Sequence, residues 1–396
     1  MNLDINQTWN QHVVKKGNKS IVLEIIKNKS PISRADIASL TNLNKGTVSS
    51  LVNELISENL IYEKGPGEST GGRRPIMLLF NASAGYSIGI DIGVNYILGI
   101  LTDLQGEIIL EKKISVHQLG YSEMMEQVID IISYLKKNIP ESRYGLIGIG
   151  IGVPGIVHKN GTVLIAPNLN WKNAPLKEMI EDQFHVPVMI ENEANAGAYG
   201  EKIFGAGQTS DNIVYVSAGI GIGVGLIIDG HLYQGNKGFA GEMGHMTINA
   251  SGEKCRCGNI GCWELYASEQ ALIQKALESG IAREQASLES LIEKAHHSDP
   301  AAIKLFTEVG KMLGVGITNI INTFNPQQII IGNRMASAEQ WLREAVEQTI
   351  KENLLWFFQD NLSLEFSHLS SYSASLGMTA FSIENFLKID LTAENK

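Results

Sequence analysis

The 396-residue sequence has few cysteines, no long apolar run and no overall excess of positive charge, and each shortage excludes a class of protein. Its three cysteines all lie within residues 255–262, and such a cluster cannot form a disulfide framework. No apolar run reaches the roughly 18–20 residues that span a bilayer. The start, Met1 to Asp4, has neither the basic nor the apolar segment of a signal peptide. We therefore expect a soluble, cytoplasmic protein.

Glycine and apolar residues are plentiful by contrast. Hydrophobic residues make up 44% of the chain and charged residues 19%, which is typical of a globular protein with a large core. The length predicts roughly two to three domains. The 40 glycines exceed the average share of about 7%. Because they follow no collagen period, they indicate many tight strand-to-helix turns, as in α/β folds.

Charge divides the chain into two regions. The net charge of −10, taken alone, argues against a nucleic-acid partner. Residues 1–80, however, carry ten Lys and Arg against seven Asp and Glu, a net charge of +3, so the remaining residues carry −13. A mildly basic segment on a strongly acidic body indicates a polyanion-binding module, with chance fluctuation in a short segment as the alternative.

The basic segment has the pattern of a helix-turn-helix. Apolar residues at helical spacing predict a first helix over about 18–27, which a Ser-Pro pair ends at 30–31. Ser33 and Asp36 have the spacing of a capping box, so a short second helix begins there. Three of its side chains are expected to face inward: Ile37, Ala38 and Leu40. The turn at 41–43 has about the right length for this motif.

A third helix follows, for which Asn44 is a good N-cap. Its apolar stripe would face the core: Val48, Leu51, Val52, Leu55 and Ile56. The opposite face carries short hydrogen-bond donors and one cation, which suits a major groove, although an ordinary solvated face is the alternative for an isolated helix. The side chains expected to contact DNA from these helices are Arg34, Asn44, Lys45, Thr47, Ser49, Ser50 and Asn53.

The segment closes with the pattern of a wing. Two short strands, at about 60–63 and 76–80, flank a Gly-rich loop that ends in Arg73 and Arg74. Paired arginines on such a loop are expected to grip phosphates or to enter a narrow minor groove. Together with the helices, the wing predicts that residues 1–80 are a winged helix-turn-helix that binds double-stranded DNA.

From Gly85 onward, apolar strands alternate with polar or Gly-rich turns. Four strands are expected at about 87–92, 145–151, 186–190 and 213–216. The turns that follow them lie at 93–95, 153–155, 191–195 and 217–225. Because open α/β sheets bind ligands at the carboxyl ends of their strands, these turns predict a ligand cleft.

The three cysteines have metal-ligand spacing. Cys255, Cys257 and Cys262 form a Cys-x-Cys-x4-Cys pattern, and His245 lies ten residues upstream of the first. Four such sulfur and nitrogen ligands make a closed tetrahedral set suited to one structural Zn²⁺ ion per chain. Three buried free thiols near an unrelated histidine are the alternative.

Residues 81–385 resemble the ROK family, which is named for repressors, open reading frames and kinases. Five stretches carry the resemblance: Asp91 to Gly93, 192–195, 219–225, Glu242 to His245, and Cys255 to Glu264. The winged helix with Gly71 to Pro75 is similar to that of the repressor branch, so the resemblance covers nearly the whole chain. Residues 190–201 and 263–268 look most like the repressors of this branch that respond to xylose.

The resemblance implies an α/β fold of the actin/hexokinase type, with two lobes around a sugar cleft. The expected domains are the winged helix-turn-helix at 1–80, a first lobe at 81–200 that a C-terminal helix at about 373–390 completes, and a second lobe at 201–372 that carries the zinc loop. Sugar bound between the lobes would favour one closure angle and alter the placement of the DNA-binding units.

The same resemblance implies the site residues. Those that would contact sugar hydroxyls are Asn192, Glu193, Glu242, His245 and Glu264. Those that would hold zinc are His245, Cys255, Cys257 and Cys262. Carboxylates suit the first role because hydrogen bonds to charged groups contribute about 1.5–3 kcal/mol each. For Glu264, a salt-bridge partner beside the metal loop is the alternative.

Three positions depart from the kinases of the family. Glu193 stands where they carry the catalytic Asp, Asn95 where they have Thr or Ser, and Ile220 where they have Thr. We therefore expect a sugar-responsive repressor of xylose-utilisation genes with no catalytic residues, and an active sugar kinase is the alternative. The resemblance implies that the ligand is D-xylose, with glucose as the alternative. The sugar is expected to be unphosphorylated, since three carboxylates would repel a sugar phosphate. A symmetric homodimer on a palindromic operator is also expected.

Overall fold

The computed structural model describes residues 11–66, 75–117, 119–282, 286–355 and 362–390, and the fold is given for these residues. The N-terminal unit consists of α1 (Gln11–Lys29), β1 (Ile32–Ser33), α2 (Arg34–Thr41), α3 (Lys45–Ser57), β2 (Ile61–Pro66) and β3 (Ile76–Phe80). Its strands form one antiparallel sheet in the order β1-β3-β2. This unit is the winged helix-turn-helix that the sequence predicts.

The predicted starts of α2 and α3 are confirmed. The Ser33 hydroxyl accepts a hydrogen bond from the Asp36 N–H at 3.2 Å, and the Asp36 carboxylate accepts one from the Ser33 N–H at 3.3 Å. The Asn44 Oδ1 accepts one from the Thr47 N–H at 2.8 Å. These caps satisfy N–H groups that have no partner within the helix. The apolar stripe of α3 is buried, with Ile56 at its margin.

Two details of this unit differ from the expectation. α1 begins before residue 18, at Gln11. In this added part Lys15 forms an ion pair with Glu54 of α3 at 2.7 Å, and the spacing of apolar residues cannot predict such a polar contact. Leu40 was expected inside but is 50% exposed. Successive helix residues are about 100° apart, so Leu40 lies roughly 110° from the midpoint between the buried Ile37 and Ala38.

The first lobe is built on a five-stranded sheet in the order β11-β7-β4-β5-β6, in which β4, β7 and β11 are parallel. A second sheet, in the order β10-β9-β8, is antiparallel. In chain order the elements are β4 (Tyr86–Ile92), β5 (Tyr96–Asp103), β6 (Ile108–Ser115), α4 (Tyr121–Lys137), β7 (Leu146–Val153), β8 (Ile156–Val157), β9 (Val163–Ala166), β10 (Trp171–Ala174), α5 (Leu176–Phe184), β11 (Val188–Asn192) and α6 (Glu193–Phe204).

The second lobe is built on a sheet in the order β14-β13-β12-β15-β16, in which β12, β15 and β16 are parallel. Its elements are β12 (Ile213–Ala218), β13 (Ile222–Ile228), β14 (His231–Leu232), α7 (Glu264–Ala267), α8 (Glu269–Glu278), α9 (Leu288–His296), α10 (Pro300–Phe324), β15 (Gln328–Gly332), α11 (Glu339–Asn353) and β16 (Ser363–Phe366). The chain then forms α12 (Ser373–Asp390). Among the residues described, no helix is long and apolar enough to cross a membrane.

The glycine-rich stretch at 217–225 is a turn for only part of its length. β13 already begins at Ile222, and α6 packs closely against it. A Cβ at Gly225 would lie only 2.4 Å from the Ala194 carbonyl oxygen. Glycine in this stretch therefore permits close contact between α6 and the sheet. From the sequence alone, glycines with this role look the same as glycines in a loop.

Two helices occupy the junction of the lobes. α6 runs past the expected boundary at residue 200 and packs on β12 and β13 of the second sheet. α12 packs on α6 and on β4 and β7 of the first sheet. The two sheets are thus connected through the α6–α12 pair, and α6 begins with residues of the expected sugar site.

The winged helix-turn-helix is seated on the first lobe and on α12. Its apolar core is continuous with Leu104, Ile147 and Ile383. At the end of α3, the Arg143 guanidinium donates to the Ser57 carbonyl oxygen at 3.0 Å, and the Tyr144 hydroxyl donates to the Glu58 carbonyl oxygen at 2.9 Å. The DNA-binding unit is therefore attached to the body by both apolar and polar contacts.

Candidate functional site

Polar side chains from both lobes meet where strands end. Asp91 lies near the end of β4, and Glu193 follows β11 as the first residue of α6. From the second lobe, Ser217 lies near the end of β12, and Asn333 follows β15. These strand ends line the cleft between the lobes.

Glu193 connects the two lobes. Its Oε1 accepts hydrogen bonds from the Ser217 hydroxyl at 2.9 Å and from the Asn333 amide at 2.6 Å. Burial raises the pKa of the Glu193 carboxyl, although both donors oppose the shift. Its Oε2 makes no hydrogen bond to any residue that the structure describes, so this oxygen can accept one from a ligand.

Asp91 and Tyr96 form a buried pair beside Glu193. The Tyr96 hydroxyl donates to Asp91 Oδ2 at 2.6 Å, and both side chains are buried. Burial, followed by the nearby charge of Glu193, raises the pKa of Asp91 well above its usual range. Asn95 lies in the turn between β4 and β5, and Ile220 in the turn between β12 and β13. The resemblance implies that these two turns correspond to the phosphate-binding turns of the kinases, so we call Asp91, Tyr96, Ser217 and Asn333, which lie beside them, the phosphate side of the cleft.

Asn192 serves mainly the local fold. Its Oδ1 accepts hydrogen bonds from the N–H groups of Ala194 and Asn195 at 2.8 and 3.2 Å, and its Nδ2 donates to the Gly155 carbonyl oxygen at 2.9 Å. The side chain thus caps α6 and retains one amide hydrogen for a sugar hydroxyl.

The predicted metal ligands lie together. The ligand atoms of His245, Cys255, Cys257 and Cys262 are all within 4.8 Å of one another. The Cys257 and Cys262 sulfurs are 3.7 Å apart, and the Cys255 sulfur is 3.7 Å from His245 Nδ1. Tetrahedral Zn–S bonds of about 2.3 Å place two sulfurs about 3.8 Å apart, so the four residues fit a zinc ion. Because Nδ1 is the ring nitrogen in this cluster, Nε2 remains for the cleft.

The segments that carry these ligands are anchored to the second lobe. The buried Trp263 donates from Nε1 to the Met312 carbonyl oxygen of α10 at 2.8 Å. Gly241, with a φ of 97°, brings the turn at 242–245 against β13, where a Cβ would lie 2.1 Å from the Val224 carbonyl oxygen. A bulkier residue at this position would push Glu242 and His245 away from the cleft.

Glu264 and Glu242 lie beside the metal cluster. Glu264 Oε1 is 3.3 Å from His245 Nδ1 and 3.1 Å from the Cys255 sulfur. Its Oε2 approaches Gly221, in the turn after β12. Burial raises the pKa of Glu242, while His245 opposes the shift and the Glu264 charge adds to it. We call Glu242, His245 and Glu264 the zinc side of the cleft.

Several residues of the cleft were not predicted from the sequence. Ser217 and Asn333 are polar residues at the ends of buried strands, and this same signal identified Asn192. The Gln234 amide donates to Glu191 across the cleft, and Glu191 directly precedes the predicted pair. Tyr96 has no comparable signal, because only the fold brings its hydroxyl to Asp91.

The candidate DNA interface is the outward face of α3. Lys45, Ser50 and Asn53 are exposed, whereas Thr47 and Ser49 are half-buried. Asn44 is exposed, although its Oδ1 caps the helix. The wing arginines, Arg73 and Arg74, lie outside the described residues.

Arg34 is not a free cation at this interface. Its guanidinium donates to the Asn53 side-chain oxygen at 3.2 Å and forms an ion pair with Glu63 of β2 at 2.9 Å. Two of the predicted DNA contacts, Arg34 and Asn53, are therefore bonded to each other.

Comparisons with known proteins agree with this architecture. The ROK family model matches residues 87–385, and a winged helix-turn-helix DNA-binding model matches residues 20–62. The chain is 48% identical to the xylose repressor of Bacillus spizizenii over 96% of this chain and 98% of the relative.

Two solved structures are similar to the chain. A ROK family transcriptional regulator, a homologue of the Escherichia coli MLC protein, has a TM-score of 0.80 and 30% identity, over 96% of this chain and 99% of that one. A ROK family glucokinase from Streptomyces griseus, in complex with glucose and AMPPNP, has a TM-score of 0.70 and 28% identity, over 75% of this chain and 99% of that one.

Proposed function

The chain belongs to the ROK family and is a sugar-responsive transcriptional repressor, and we propose that its sugar is unphosphorylated D-xylose. The observation that carries the proposal is the likeness to a xylose repressor over nearly the whole length. Because the repressor acts on operator DNA, we place it in the cytoplasm with the chromosome.

Sugar recognition belongs to the zinc side of the cleft and to two neighbouring groups. Glu242, Glu264 Oε2 and His245 Nε2 would bond ring hydroxyls, since each is a polar group beside the cluster. Glu193 Oε2 and the remaining Asn192 hydrogen would bond the sugar from the other lobe. Hydrogen bonds to charged groups contribute about 1.5–3 kcal/mol each, so three carboxylates can hold a small polyol.

The charge of the site disfavours a sugar phosphate. Glu193, Glu242 and Glu264 would all contact the one ligand, and like charges in a partly dry cleft cost several kcal/mol. Glucose differs from xylose by one hydroxymethyl group, for which a pocket discriminates by only about 1–3 kcal/mol. We therefore expect glucose to bind more weakly than xylose.

A structural zinc ion would be held by His245, Cys255, Cys257 and Cys262, one per chain. Bound there, it would cross-link the loop that carries Glu264 to the turn that carries His245. The cross-linked loop and turn would then hold the side chains of Glu264 and His245 in position to bond the sugar. This assignment is supported by ligand atoms that lie at the spacing of a tetrahedral site.

The chain acts as a repressor and not as a kinase. Phosphoryl transfer requires a cradle for ATP phosphates and a base beside the reacting hydroxyl. On the phosphate side, Asp91 Oδ2 accepts a hydrogen bond from Tyr96. Glu193, which stands where the kinases carry the catalytic Asp, is held through Oε1 by donors from Ser217 and Asn333. The next residue, Arg334, is held by both carboxylate oxygens of Glu269 at 2.8 and 2.9 Å, so its charge is already paired.

DNA binding belongs to the winged helix-turn-helix. α3 would enter the major groove with the exposed face that carries Lys45, Ser50 and Asn53, and Arg73 and Arg74 of the wing would contact the backbone. One recognition helix offers few contacts, so we propose a homodimer on a palindromic operator.

The route from sugar to DNA follows α6 and α12. α6 begins at Glu193, and further along it the buried Glu201 accepts a hydrogen bond from Ser373, the first residue of α12, at 2.7 Å. The Tyr199 hydroxyl of α6 donates to Glu384 of α12, and its ring stacks on Phe381 with centroids 4.2 Å apart. A change in lobe closure that moves α6 therefore also moves α12.

α12 in turn contacts the DNA-binding unit. Ile383 lies in the core that the unit shares with the first lobe, and the Phe386 ring is 5.0 Å from that of Tyr144. Lys27 of α1 lies near Glu384; burial lowers the pKa of Lys27, and the charge of Glu384 opposes the shift. Sugar would release the operator if it binds better to the closure that misplaces α3, and couplings of about 1–3 kcal/mol change affinity roughly 5–150-fold.

Operator release titrated with each sugar tests the proposal. A labelled operator duplex is held by the zinc-loaded protein, and its anisotropy is followed as D-xylose, glucose, glucose 6-phosphate or N-acetylglucosamine 6-phosphate is added. We expect D-xylose to release DNA at the lowest concentration. Release by either sugar phosphate at a lower concentration would overturn the choice of xylose.

A further inference from the structure

Three side chains from three elements meet beside the recognition face. Arg34 is the first residue of α2, Asn53 lies on the exposed face of α3, and Glu63 lies on β2 of the wing. The Arg34 guanidinium joins them, with Nη2 at 3.2 Å from the Asn53 oxygen and Nη1 at 2.9 Å from the Glu63 carboxylate. All three belong to the surface that DNA would cover.

Glu63 differs from the other acidic residues of this unit. Asp36 is occupied in the capping box of α2. Glu54 and Glu58 form ion pairs with Lys15 and Lys19 of α1. Among the described residues of α2, α3 and the two wing strands, Glu63 is the carboxylate that forms an ion pair with an expected DNA contact, Arg34, and its side chain is 40% exposed.

The ion pair has a direct consequence for DNA affinity. A cation adds to sequence-independent binding when it neutralises a phosphate and releases counterions. Arg34 is already neutralised by Glu63, and a phosphate that approached Arg34 would also approach the Glu63 carboxylate. The pair therefore lowers the contribution of Arg34 on every DNA sequence.

Asn53 depends on the same guanidinium. Asn reads adenine through its amide oxygen and nitrogen, so the orientation of its side chain matters for base contacts. The hydrogen bond from Arg34 fixes the Asn53 oxygen and leaves the Asn53 NH₂ directed away from Arg34. Glu63 holds Arg34 in the position from which it makes this bond.

We propose that Glu63 is a specificity-determining residue, which keeps Arg34 on Asn53 and off the phosphates. Affinity on non-operator DNA is thereby reduced, while the base-reading Asn53 is kept in place. Discrimination gained by weakening the wrong complex is a common route to specificity. The inference rests on the DNA binding proposed above and adds a role for a residue on the wing strand.

Glu63→Gln tests the proposal, because it removes the charge at nearly constant size. Affinities are measured by anisotropy on two duplexes, one selected by the wild-type protein from a random pool and one of scrambled sequence, between about 50 and 200 mM salt. On the scrambled duplex we expect binding to strengthen roughly 3- to 10-fold and the slope of log K against log salt to steepen by about 0.9, the value for one added phosphate contact. On the selected duplex the gain should be smaller.

Two further variants isolate the cause. Glu126→Gln, on the exposed face of α4 in the body, removes the same charge from the chain and should leave both affinities and both slopes unchanged. Arg34→Gln combined with Glu63→Gln should abolish the gain on scrambled DNA. A Glu63→Gln variant with wild-type slope and affinity, or a gain that survives in the double variant, would overturn the proposal. If the wild-type protein selects no duplex at all, it is the DNA binding itself that fails.

Discussion

The zinc side and the phosphate side of the cleft differ in what their polar side chains bond to. On the zinc side, Glu242, His245 and Glu264 lie at the group of residues that could hold a metal ion, and we propose that they bond the sugar. On the phosphate side, Tyr96 is bonded to Asp91, and Asn333 to Glu193. The fold is shared with a glucokinase that binds glucose and AMPPNP. The difference between the two sides therefore lies in which polar groups are bonded to other residues of the chain, Asp91 Oδ2 and Glu193 Oε1 being bonded across the phosphate side.

Loss of a metal ligand should have the largest effect, because the whole zinc side depends on it. We expect Cys257→Ser to bind no zinc and to lose sugar-induced operator release, with sugar affinity lowered by at least about a hundredfold. DNA affinity without sugar should change little, since the winged helix lies on the other lobe. Metal analysis and operator titration check both points.

Removal of zinc by a chelator is the matching control and should reproduce the variant. Wild-type protein that contains no zinc when carefully prepared, yet responds fully to sugar, would contradict the assignment of the four ligands.

Removing one acceptor from the zinc side should have the next largest effect. Glu242→Gln loses the charge that strengthens a hydrogen bond to a sugar hydroxyl, so sugar affinity should fall by about 10- to 150-fold, corresponding to roughly 1.5–3 kcal/mol. Calorimetry with D-xylose measures the loss. Glu126→Gln removes the same charge at an exposed position on α4 and should bind sugar normally. An equal loss of sugar affinity in both variants would show that the loss comes from the change in net charge and not from Glu242 itself.

Uncoupling the two helices at the lobe junction should have a smaller effect. Tyr199→Phe removes the hydrogen bond to Glu384 while keeping the stacked ring, and mutations along such routes alter coupling by about 0.5–2 kcal/mol. We expect the ratio of operator affinities with and without sugar to fall roughly 2- to 30-fold. Sugar affinity in the absence of DNA should stay close to wild type.

Tyr134→Phe is the matched control, because it deletes the same hydroxyl from an exposed position on α4. An unchanged affinity ratio in Tyr199→Phe would exclude this contact from the route between sugar and DNA.

Removing a hydrogen bond from the phosphate side should change the sugar response least. Tyr96→Phe leaves the buried Asp91 without its donor, so stability should fall by about 1–3 kcal/mol in urea unfolding. Sugar-induced release should remain close to normal, because neither Asp91 nor Tyr96 is among the proposed sugar contacts. A large loss of sugar response with normal stability would place Asp91 and Tyr96 in the sugar site.

The winged helix-turn-helix was more predictable from sequence than the cleft. Its caps at Ser33 and Asn44 and the stripe on α3 are local, since each depends on residues three or four positions apart. The grouping of the four candidate metal ligands was equally predictable, because three of the four lie within eight residues. Where the local signal was weak, at Leu40, the prediction was wrong.

The phosphate side could not be derived in the same way. Asn333 reaches Glu193 over a separation of 140 residues: the parallel pairing of β12 with β15 places Asn333 beside Ser217, and the packing of α6 on β12 brings Glu193 to both. The ion pair of Arg34 with Glu63 likewise joins a helix to the wing. Sequence patterns identified the candidate residues at strand and helix ends, whereas their hydrogen-bond partners follow from the three-dimensional fold.

Calorimetry of one zinc-loaded preparation with two ligands tests the contrast between the two sides most directly. D-xylose and ATP with Mg²⁺ are titrated separately and then together, and the mixture is assayed for ADP and a sugar phosphate. We predict one D-xylose bound per chain, no heat of ATP binding, an unchanged xylose affinity in the presence of ATP, and no ADP formed beyond the protein-free control. Saturable ATP binding with stoichiometric sugar phosphate would contradict a cleft that binds sugar on its zinc side and does not bind ATP on its phosphate side.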